Sequence, residues 1–596
     1  MKRRIISLLL VLAIAAAVMT ACAAPAAENP GTSESPAAEG TATAPADGEV
    51  KTVINLALSE NITKLDPHDI FNFPVFTACW MMYDTLISTD HEGNYNPCLA
   101  TEWTKSEDGL VWTFKLRDDV KFQNGEDFDS ADVVTTFQRL IDNPDLTCSM
   151  TYWPYLESVT AIDQYTAEIK LSEPFGPAEL AFSNTWIIPH DAWEADGEKL
   201  WTEQKAVGTG PWQLVEWVDG QYTHFSKFAE SWDAYDTTLT DVYLRHILEP
   251  ATAINGQLSG EIDAYLATGG AARDMLSMYT GTDDKIEMVN AENGTFHYIQ
   301  FQCKDGALFS DQRMREAFSL AIDRQSLVDY VLGAGQVPNG FLPIGALGYD
   351  ESMPGYEYNV EKAKALLAEA GYDGQEFTIY THTGIPMGKA LLVAIQDMLT
   401  QAGFNAKIEP VEVSALNNIR AEGTYDVFLA SNNHVNGDPY AHINQRILGD
   451  NHHSNYKDDV LMQLIEDSNK AVDPTERAAL ISQMNQRMSE TFAPNITTDQ
   501  MEACYPINYG VTGLQLYKEG FINARYVNWD PSLVKQNNSF PKKPGRQLMD
   551  RRPGHSKRGG FYAQISKVYN QAPHNDAVHS FFCFHNRLRP YTYSSR

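Results

Sequence analysis

Short apolar strand patterns alternate with amphipathic helix patterns along this chain from about residue 51, and this alternation limits the fold more than any other feature. Residues 52–58 and Val111–Leu116 have the pattern of strands. Val360–Ala370 has the pattern of a helix, and Gly371 is placed to end it. Strands that alternate with helices are typical of an α/β protein with mixed sheets. At 596 residues the chain is too long for one hydrophobic core, so we expect two or three domains.

The first 22 residues have the composition of an export signal rather than of a folded segment. Basic residues at 2–4 precede an apolar run at 5–19, and a run of this length is shorter than the about 20 residues of a bilayer-spanning helix. Residues 19–22, Met-Thr-Ala-Cys, resemble a bacterial lipobox. The resemblance implies a lipoprotein signal peptide at 1–22 with lipidation of Cys22. An ordinary secretory signal with a chance cysteine is the alternative.

Residues 23–50 consist almost entirely of Ala, Pro, Glu, Thr, Ser and Gly. Such a segment cannot bury enough apolar surface to offset its ordering entropy, so we expect a disordered tether with a reach of roughly 30 Å. No later stretch has the pattern of a transmembrane helix. We therefore expect an exported protein that is lipid-anchored to the outer face of the bacterial cytoplasmic membrane, at the cell surface or in the periplasm.

The charge of the chain changes sign near its C-terminal end. Residues 541–596 hold eleven Lys or Arg and two Asp, a net charge of +9, whereas the whole chain carries −33 and the preceding 540 residues therefore carry −42. So acidic a main body excludes duplex nucleic acid and anionic lipid surfaces as its partners. We interpret residues 536–596 as an atypical basic tail, disordered or produced by a frameshift. A tail that binds a partner is the alternative.

The cysteines form no metal or redox motif. No CxxC pair and no zinc spacing occurs, so we expect buried free thiols, no metal site and no cofactor. Beyond Cys22 the cysteines are Cys79, Cys98, Cys148, Cys303, Cys504 and Cys583.

A series of ordered motifs runs along the chain at 99–103, 108–117, 120–125, 131–133, 208–212, 258–263, 309–324 and 363–372. This series resembles the family 5 solute-binding proteins, the peptide-, nickel- and oligosaccharide-binding group that serves ABC importers. The resemblance covers roughly residues 51–530. Most of these motifs supply turns and helix ends, so they indicate the fold rather than the binding site.

The resemblance implies a two-lobe fold like that of periplasmic binding proteins, of type II, with an extra inserted subdomain and a hinge. The implied function is the substrate-binding component of an ABC importer, which captures a small solute, an oligopeptide or dipeptide, and delivers it to the permease subunits. We expect a monomer. The implied divisions are lobe I at 51–285 with the inserted subdomain at about 86–204, lobe II at 286–499, and a return to lobe I at 500–535.

Two segments and one aromatic pair are the candidates for contact with the solute. The first segment lies where the family's chain enters lobe I, and the second follows the apolar strand pattern at 427–430, at the edge where α/β sheets place ligands. The candidates are Asn72, Phe73, Phe76, Trp80, Tyr152, Trp153, Asn432, Asn433, His434, Asp438 and Tyr440.

Asp438 is the one acid in the second segment, 431–440. Peptide-binding members of the family commonly hold the ammonium group of the ligand with an acid in this segment, which implies that role for Asp438. Because Asp438 precedes a proline in a turn, a cap of that turn is an equal alternative. Val435 and Asn436 stand where a peptide binder often has an acid.

Other functions remain as alternatives. Imidazole suits nickel, and histidines at 434, 442, 452 and 453 favour a nickel or metal-chelate receptor, although their spacing is loose. The Trp and Tyr content favours an oligosaccharide receptor. A surface sensor with the same fold is a further alternative. We find no HExxH, GxSxG, Walker A or GxGxxG motif in a strand-to-helix setting. We therefore predict that the protein is not an enzyme.

Overall fold

The structure is a computed structural model. It describes residues 50–69, 73–90, 93–267, 275–280, 285–382, 385, 387–432, 437–444, 447, 454–517 and 521–536. Cys22, Asn72, Asn433 and His434 lie outside these residues, as do residues 23–49 of the tether and 537–596 of the basic tail.

The described residues form a ten-stranded mixed sheet, a separate four-stranded sheet and three two-stranded ribbons. In chain order the strands are β1 (Val53–Leu58), β2 (Ile87–Thr89), β3 (Tyr95–Pro97), β4 (Ala100–Lys105), β5 (Val111–Leu116), β6 (Leu156–Asp163), β7 (Thr166–Leu171), β8 (Trp212–Val218), β9 (Tyr222–Lys227), β10 (Asp241–His246), β11 (Ala264–Leu266), β12 (Ile286–Phe301), β13 (Phe377–His382), β14 (Ala406–Val411), β15 (Val427–Asn432), β16 (Asn495–Asn508), β17 (Val511–Thr512), β18 (Gln515–Leu516), β19 (Ile522–Asn523) and β20 (Asn528–Trp529).

The large sheet has the strand order β14-β13-β15-β12-β16-β11-β1-β10-β9-β8. Strand β1 pairs in parallel with β10 and β11, and β13 pairs in parallel with β14 and β15, whereas the other pairs in this sheet are antiparallel. The predicted mixed α/β class is therefore confirmed. The four-stranded sheet has the order β4-β5-β7-β6 and is antiparallel throughout.

The two longest strands, β12 and β16, run through the middle of the large sheet and join its two halves. They pair from Ile286 opposite Asn508 to Gln300 opposite Asn495, and the register shifts between Glu292 and Phe296. Strand β11 continues the sheet on one side of this pair and β15 on the other. A register shift of this kind bends a strand, so the two halves of the sheet meet at a bent two-stranded connection.

Helices cover the sheets, with three short 3-10 or π turns at Met275–Tyr279, Leu308–Ser310 and Leu327–Leu332. The α-helices are α1 (Phe73–Met82), α2 (Ser130–Asp142), α3 (Thr147–Tyr152), α4 (Ala178–Ser183), α5 (His190–Asp196), α6 (Lys199–Thr202), α7 (Pro250–Ser259), α8 (Gln312–Ala321), α9 (Arg324–Ser326), α10 (Val360–Ala370), α11 (Gly388–Ala402), α12 (Val413–Glu422), α13 (Tyr440–Ile443), α14 (Asp459–Lys470), α15 (Pro474–Thr491) and α16 (Pro531–Gln536).

Separate hydrophobic cores lie on the two sides of the β12–β16 connection. The first contains side chains of β1, β5 and α1 together with a late segment from Ala503 to Trp529. The second packs α8, α10 and α11 against β12, β13 and β15. A further cluster holds the antiparallel pair of helices α14 and α15 through Leu461, Ile465 and Met484. Tyr440 is an exception to this division, because it packs within the first core although it lies far from most of that core in sequence.

The local patterns match the elements that form. Strand β1 begins one residue later than the pattern at 52–58, and β5 covers Val111–Leu116 as predicted. Helix α10 ends at Gly371, which has φ 74°, the left-handed conformation that glycine adopts without strain. In the motif at 208–212, a Cβ atom on Gly208 would lie 2.1 Å from the carbonyl oxygen of Met82. This motif is thus a site of close backbone approach.

Candidate functional site

Helix α1 carries the first group of predicted aromatic residues. Phe73 and Phe76 are buried in the first core, and Phe76 packs edge-on against Trp186 at 5.2 Å between ring centroids. Trp80 is half-buried and stacks on Tyr517, with centroids 5.2 Å apart and an angle of 9° between the planes. Of these three residues, Trp80 is the one that faces a cavity.

The cavity beside Trp80 has a volume of about 360 Å³. Aromatic rings and ionised groups line it together, which is the combination typical of a site for a small polar solute. The lining includes Trp80, Trp186, Trp232, Tyr517, Asp233 and Arg525.

An ion-pair cluster forms one end of this cavity. The guanidinium of Arg525 lies 2.8 Å from carboxylate oxygens of both Asp84 and Asp233. Asp84 also accepts hydrogen bonds from the hydroxyl of Thr209 at 2.7 Å and from the indole N–H of Trp232 at 3.0 Å. Burial lowers the pKa of Arg525, but the two carboxylates outweigh it and hold the pKa above its usual value. The cluster is therefore charged and fixed in position.

Tyr152 and Trp153 lie elsewhere, in the interior of the first core. They are 1% and 5% exposed. The indole N–H of Trp153 donates to the hydroxyl of Thr185 at 2.8 Å, and its ring packs on Phe182 with centroids 4.8 Å apart. The structure thus gives this pair a packing position.

The described part of the second predicted segment is the end of β15 and the turn that follows. Asn432 is half-buried at the last position of β15, and its side-chain amide contacts His442. Tyr440 is 1% exposed and packs edge-on against Phe175 with centroids 5.0 Å apart. Phe175 belongs to the segment that follows the four-stranded sheet, so Tyr440 brings the two cores into contact.

Asp438 is buried and fully engaged by protein groups. One carboxylate oxygen accepts from the backbone N–H of Tyr440 at 2.9 Å, and both oxygens receive the guanidinium of Arg477. Burial lowers the pKa of Arg477, but Asp438 raises it above its usual value. Asp438 therefore caps the turn, which is one of its two predicted roles, and also anchors that turn to α15.

A smaller cavity of about 170 Å³ adjoins this ion pair. Its walls come from both sides of the molecule. Tyr95, Phe175 and Gly176 face it from the first, and Asp438 and Arg477 from the second.

The residues of the nickel alternative are mostly outside the described ranges. His442 is described, and it is 2% exposed and packs against Phe296 and Phe341. Within the described residues, no three His, Cys, Asp or Glu side chains are grouped closely enough to hold a metal ion. In the same part of the chain, no helix has both the length and the apolar composition needed to cross a bilayer.

Comparison with known proteins identifies the family. The model of the bacterial extracellular solute-binding proteins, family 5 Middle, matches residues 94–452. The chain belongs to this family. A family 5 solute-binding protein is a transport receptor and not an enzyme, in agreement with the sequence prediction.

The relatives of this solute-binding protein cover most of its length. The periplasmic oligopeptide-binding protein OppA of Salmonella typhimurium is 27% identical over 497 residues, which are 78% of this chain and 86% of OppA. The glutathione-binding protein GsiB of Escherichia coli (strain K12) is 27% identical over 361 residues, 60% of this chain and 69% of GsiB.

Solved structures share the fold. NikA from Brucella suis, in complex with Fe(III)-EDTA, matches with a TM-score of 0.73 at 21% identity and covers 80% of this chain and 100% of its own. HbpA2 from Haemophilus parasuis matches with a TM-score of 0.69 at 25% identity and the same coverage. The predicted two-lobe fold is confirmed.

Sequence reasoning named Asp438 but missed Asp84, Asp233 and Arg525 of the larger cavity and Arg477 of the smaller one. Asp84, Asp233 and Arg525 are separated by up to 441 positions, and Arg477 lies inside an ordinary helix pattern. No local spacing links them. The one signal available is that a buried charge needs partners, and this does not say which residues supply them.

Proposed function

We propose that this family 5 solute-binding protein captures a peptide, an oligopeptide or a dipeptide, between its two lobes and delivers it to the permease subunits of an ABC importer. The observation that carries the proposal is the similarity to OppA over 78% of this chain, because OppA is named as an oligopeptide-binding protein. The mixture of indole rings and ionised groups around Trp80 suits a peptide, which offers both apolar side chains and charges.

Capture would work by a shift between an open and a closed arrangement of the lobes. The bent connection formed by β12 and β16 is suited to act as the hinge. A solute that contacts both lobes favours the closed arrangement by its difference in affinity for the two states. The permease would then read closure rather than the chemistry of the solute.

The proposed lobe boundaries are 51–285 with 500–535 for lobe I and 286–499 for lobe II. The division of the cores supports them, because side chains from Ala503 to Trp529 pack with the N-terminal strands whereas Ile299 to Ile496 form the second core. The subdomain at about 86–204 would contain the four-stranded sheet.

The proposed contacts with the solute are Trp80 from lobe I and the end of β15 from lobe II, together with Asn72, Asn433 and His434. The place of Trp80 on a cavity wall supports its role. For Asp438 we propose that it shapes the turn at 437–440 rather than holding the ligand's ammonium, since Arg477 already neutralises it. Phe73, Phe76, Tyr152, Trp153 and Tyr440 would support the site from within the core.

Thermal unfolding in the presence of peptide, sugar and metal-chelate libraries tests the proposal. Peptides should raise the melting temperature, since a ligand at a hundred times its dissociation constant stabilises by about 2.7 kcal/mol. The variant Trp80→Ala should weaken peptide binding, whereas Trp217→Ala, at a half-buried tryptophan on the edge strand β8, should not. Stabilisation by sugars or nickel chelates alone would overturn the peptide assignment.

An oligosaccharide is the second candidate solute. The observation in its favour is the set of three indoles, Trp80, Trp186 and Trp232, around one cavity, because sugar rings stack on aromatic faces. A shift with oligosaccharides and none with peptides in the same experiment would select this reading.

We also propose that the protein is exported and held at the outer face of the cytoplasmic membrane by a lipid on Cys22, that residues 23–50 form its tether, and that it acts as a monomer. The lipobox pattern at 19–22 and the composition of the tether support this arrangement. The basic tail at 536–596 would take no part in binding.

A further inference from the structure

A compact set of contacts joins the four-stranded sheet of lobe I to the helix pair α14–α15 of lobe II. On one side are the β4–β5 turn at 105–109 and the segment 173–176 after β7. On the other side are the α14–α15 connection at 469–472 and Arg477. We call this set the latch.

Two hydrogen bonds and one exposed ion pair connect the two sides of the latch. The backbone N–H of Gly176 donates to the carbonyl oxygen of Asn469 at 2.7 Å. The ammonium of Lys105 donates to the carbonyl oxygen of Val472 at 2.8 Å. Lys470 and Glu173 form an ion pair at 3.1 Å, but both side chains are well exposed and the pair adds little.

Two glycines show how closely the lobes approach at the latch. A Cβ atom on Gly176 would lie 2.4 Å from the carbonyl oxygen of Ala471 and 2.8 Å from Cδ of Arg477. A Cβ atom on Gly109 would lie 2.5 Å from Cγ1 of Val472. The three nearest atoms at each glycine all belong to lobe II. A side chain at either position would therefore be blocked by the opposite lobe and not by its own.

The latch is also connected to the turn at 437–440, which follows the segment that we propose for solute binding. Arg477 packs against Gly176 and holds the carboxylate of Asp438, which caps the turn leading to Tyr440. Tyr440 in turn packs on Phe175, next to Gly176. The segment after β7 thus contacts both Arg477 and Tyr440, the two residues that fix the turn at 437–440.

We infer that the latch stabilises the closed arrangement independently of the solute and so sets the affinity of capture. This inference rests on the proposed function, because affinity is coupled to closure only if solute binds the closed state. The apparent dissociation constant equals the intrinsic one divided by the fraction of protein in the binding-competent state. A weaker latch lowers that fraction, so every solute should bind less tightly by the same factor.

The variant Gly176→Ala tests the inference. The φ of Gly176 lies outside the left-handed region, so alanine fits its backbone, and the added methyl meets lobe II alone. Gly355→Ala is the matched control, since its nearest atom would be at 3.5 Å. Lys105→Met is a second variant, which removes one latch hydrogen bond at an exposed side chain.

Small-angle scattering without solute and titration calorimetry with a bound peptide give the two readouts. For Gly176→Ala we expect a larger radius of gyration and an affinity lower by about tenfold, which needs a tenfold smaller closed fraction. Lys105→Met should change the radius of gyration and the affinity in the same direction but by less. Gly355→Ala should change neither the radius of gyration nor the affinity. If both latch variants have the same radius of gyration as the wild type, the inference is overturned. The scattering needs no ligand, so it tests the latch even if no peptide binds and the proposed function fails.

Discussion

Two buried arginines, each paired with a buried carboxylate, hold the segments next to helix α1 in place. Arg139 donates to both carboxylate oxygens of Asp66 at 3.0 and 2.7 Å. Arg525 bridges Asp84 and Asp233 beside the cavity that Trp80 lines. Removing one partner of such a pair leaves an uncompensated charge in the interior, which costs more than the pair itself contributes.

Replacing Arg525 with methionine should lower the free energy of unfolding by about 3 to 5 kcal/mol, because Asp84 would remain buried without its cation. Urea denaturation measures this change. The control is Arg313→Met, at an ion pair with Asp311 whose side chains are 47% and 34% exposed. The control should change stability far less than Arg525→Met does, because solvent screens an exposed ion pair. Equal effects for the two variants would contradict the role given to the cluster.

His68 should make stability depend on pH. Arg139 can only donate, so Nδ1 of His68 accepts from it at 2.7 Å, and Nε2 donates to the carbonyl oxygen of Trp186 at 2.8 Å, which is the neutral form of the ring. Burial, and then the charge of Arg139, lowers the pKa of His68 from 6.5 to about 4. The unfolded chain therefore binds the extra proton, and stability falls as pH falls from about 6.5 to 4.

Lowering the pH from 7 to 5 should lower the unfolding free energy by about 2 kcal/mol through His68. Urea denaturation at both values, on the wild type and on His68→Gln, isolates the contribution. Glutamine can donate and accept at one end but does not titrate in this range. An identical pH dependence in wild type and variant would show that His68 is not held neutral.

At the scale of elements, the local sequence pattern predicts which strands and helices form. Tertiary contacts decide which of these elements pair with one another. The spacing of apolar residues gave β5 and α10, and Gly371 indicated where α10 ends. The antiparallel pairing of β12 with β16 brings together segments about 200 residues apart, and nothing in either pattern specifies the other. Likewise the cap at Asp438 follows from its turn, whereas its ion pair with Arg477 depends on how α15 packs.

The motif at 208–212 gives a prediction at this scale. Gly208→Ala should lower the unfolding free energy by about 3 kcal/mol, since its Cβ atom would meet the backbone carbonyl of Met82, which cannot turn aside as a side chain can. Gly355→Ala, with ordinary contact distances, is the control. Denaturation curves for the two variants that coincide would contradict the close approach.

For the whole molecule, the fold places two separately packed lobes on one bent connection, so relative motion of the lobes is the simplest large change available to it. The family motifs predicted this architecture. They did not predict which side chains face the cavities, because the motifs serve turns and helix ends and the cavity walls come from segments distant in sequence.

The proposed attachment to the membrane concerns the whole chain rather than one element. Cys22→Ser should release the protein into the soluble fraction, because the proposed site of lipid attachment is removed while the folded body is untouched. Fractionation of cells followed by immunoblotting measures this. Retention of the variant in the membrane fraction would contradict lipidation at Cys22.

Small-angle scattering during titration with a peptide selected by thermal shift is the most direct measurement of solute capture by two closing lobes. The account predicts that the radius of gyration falls in proportion to the bound fraction measured by calorimetry and levels off at saturation. Bound peptide with an unchanged radius of gyration at every concentration would contradict it.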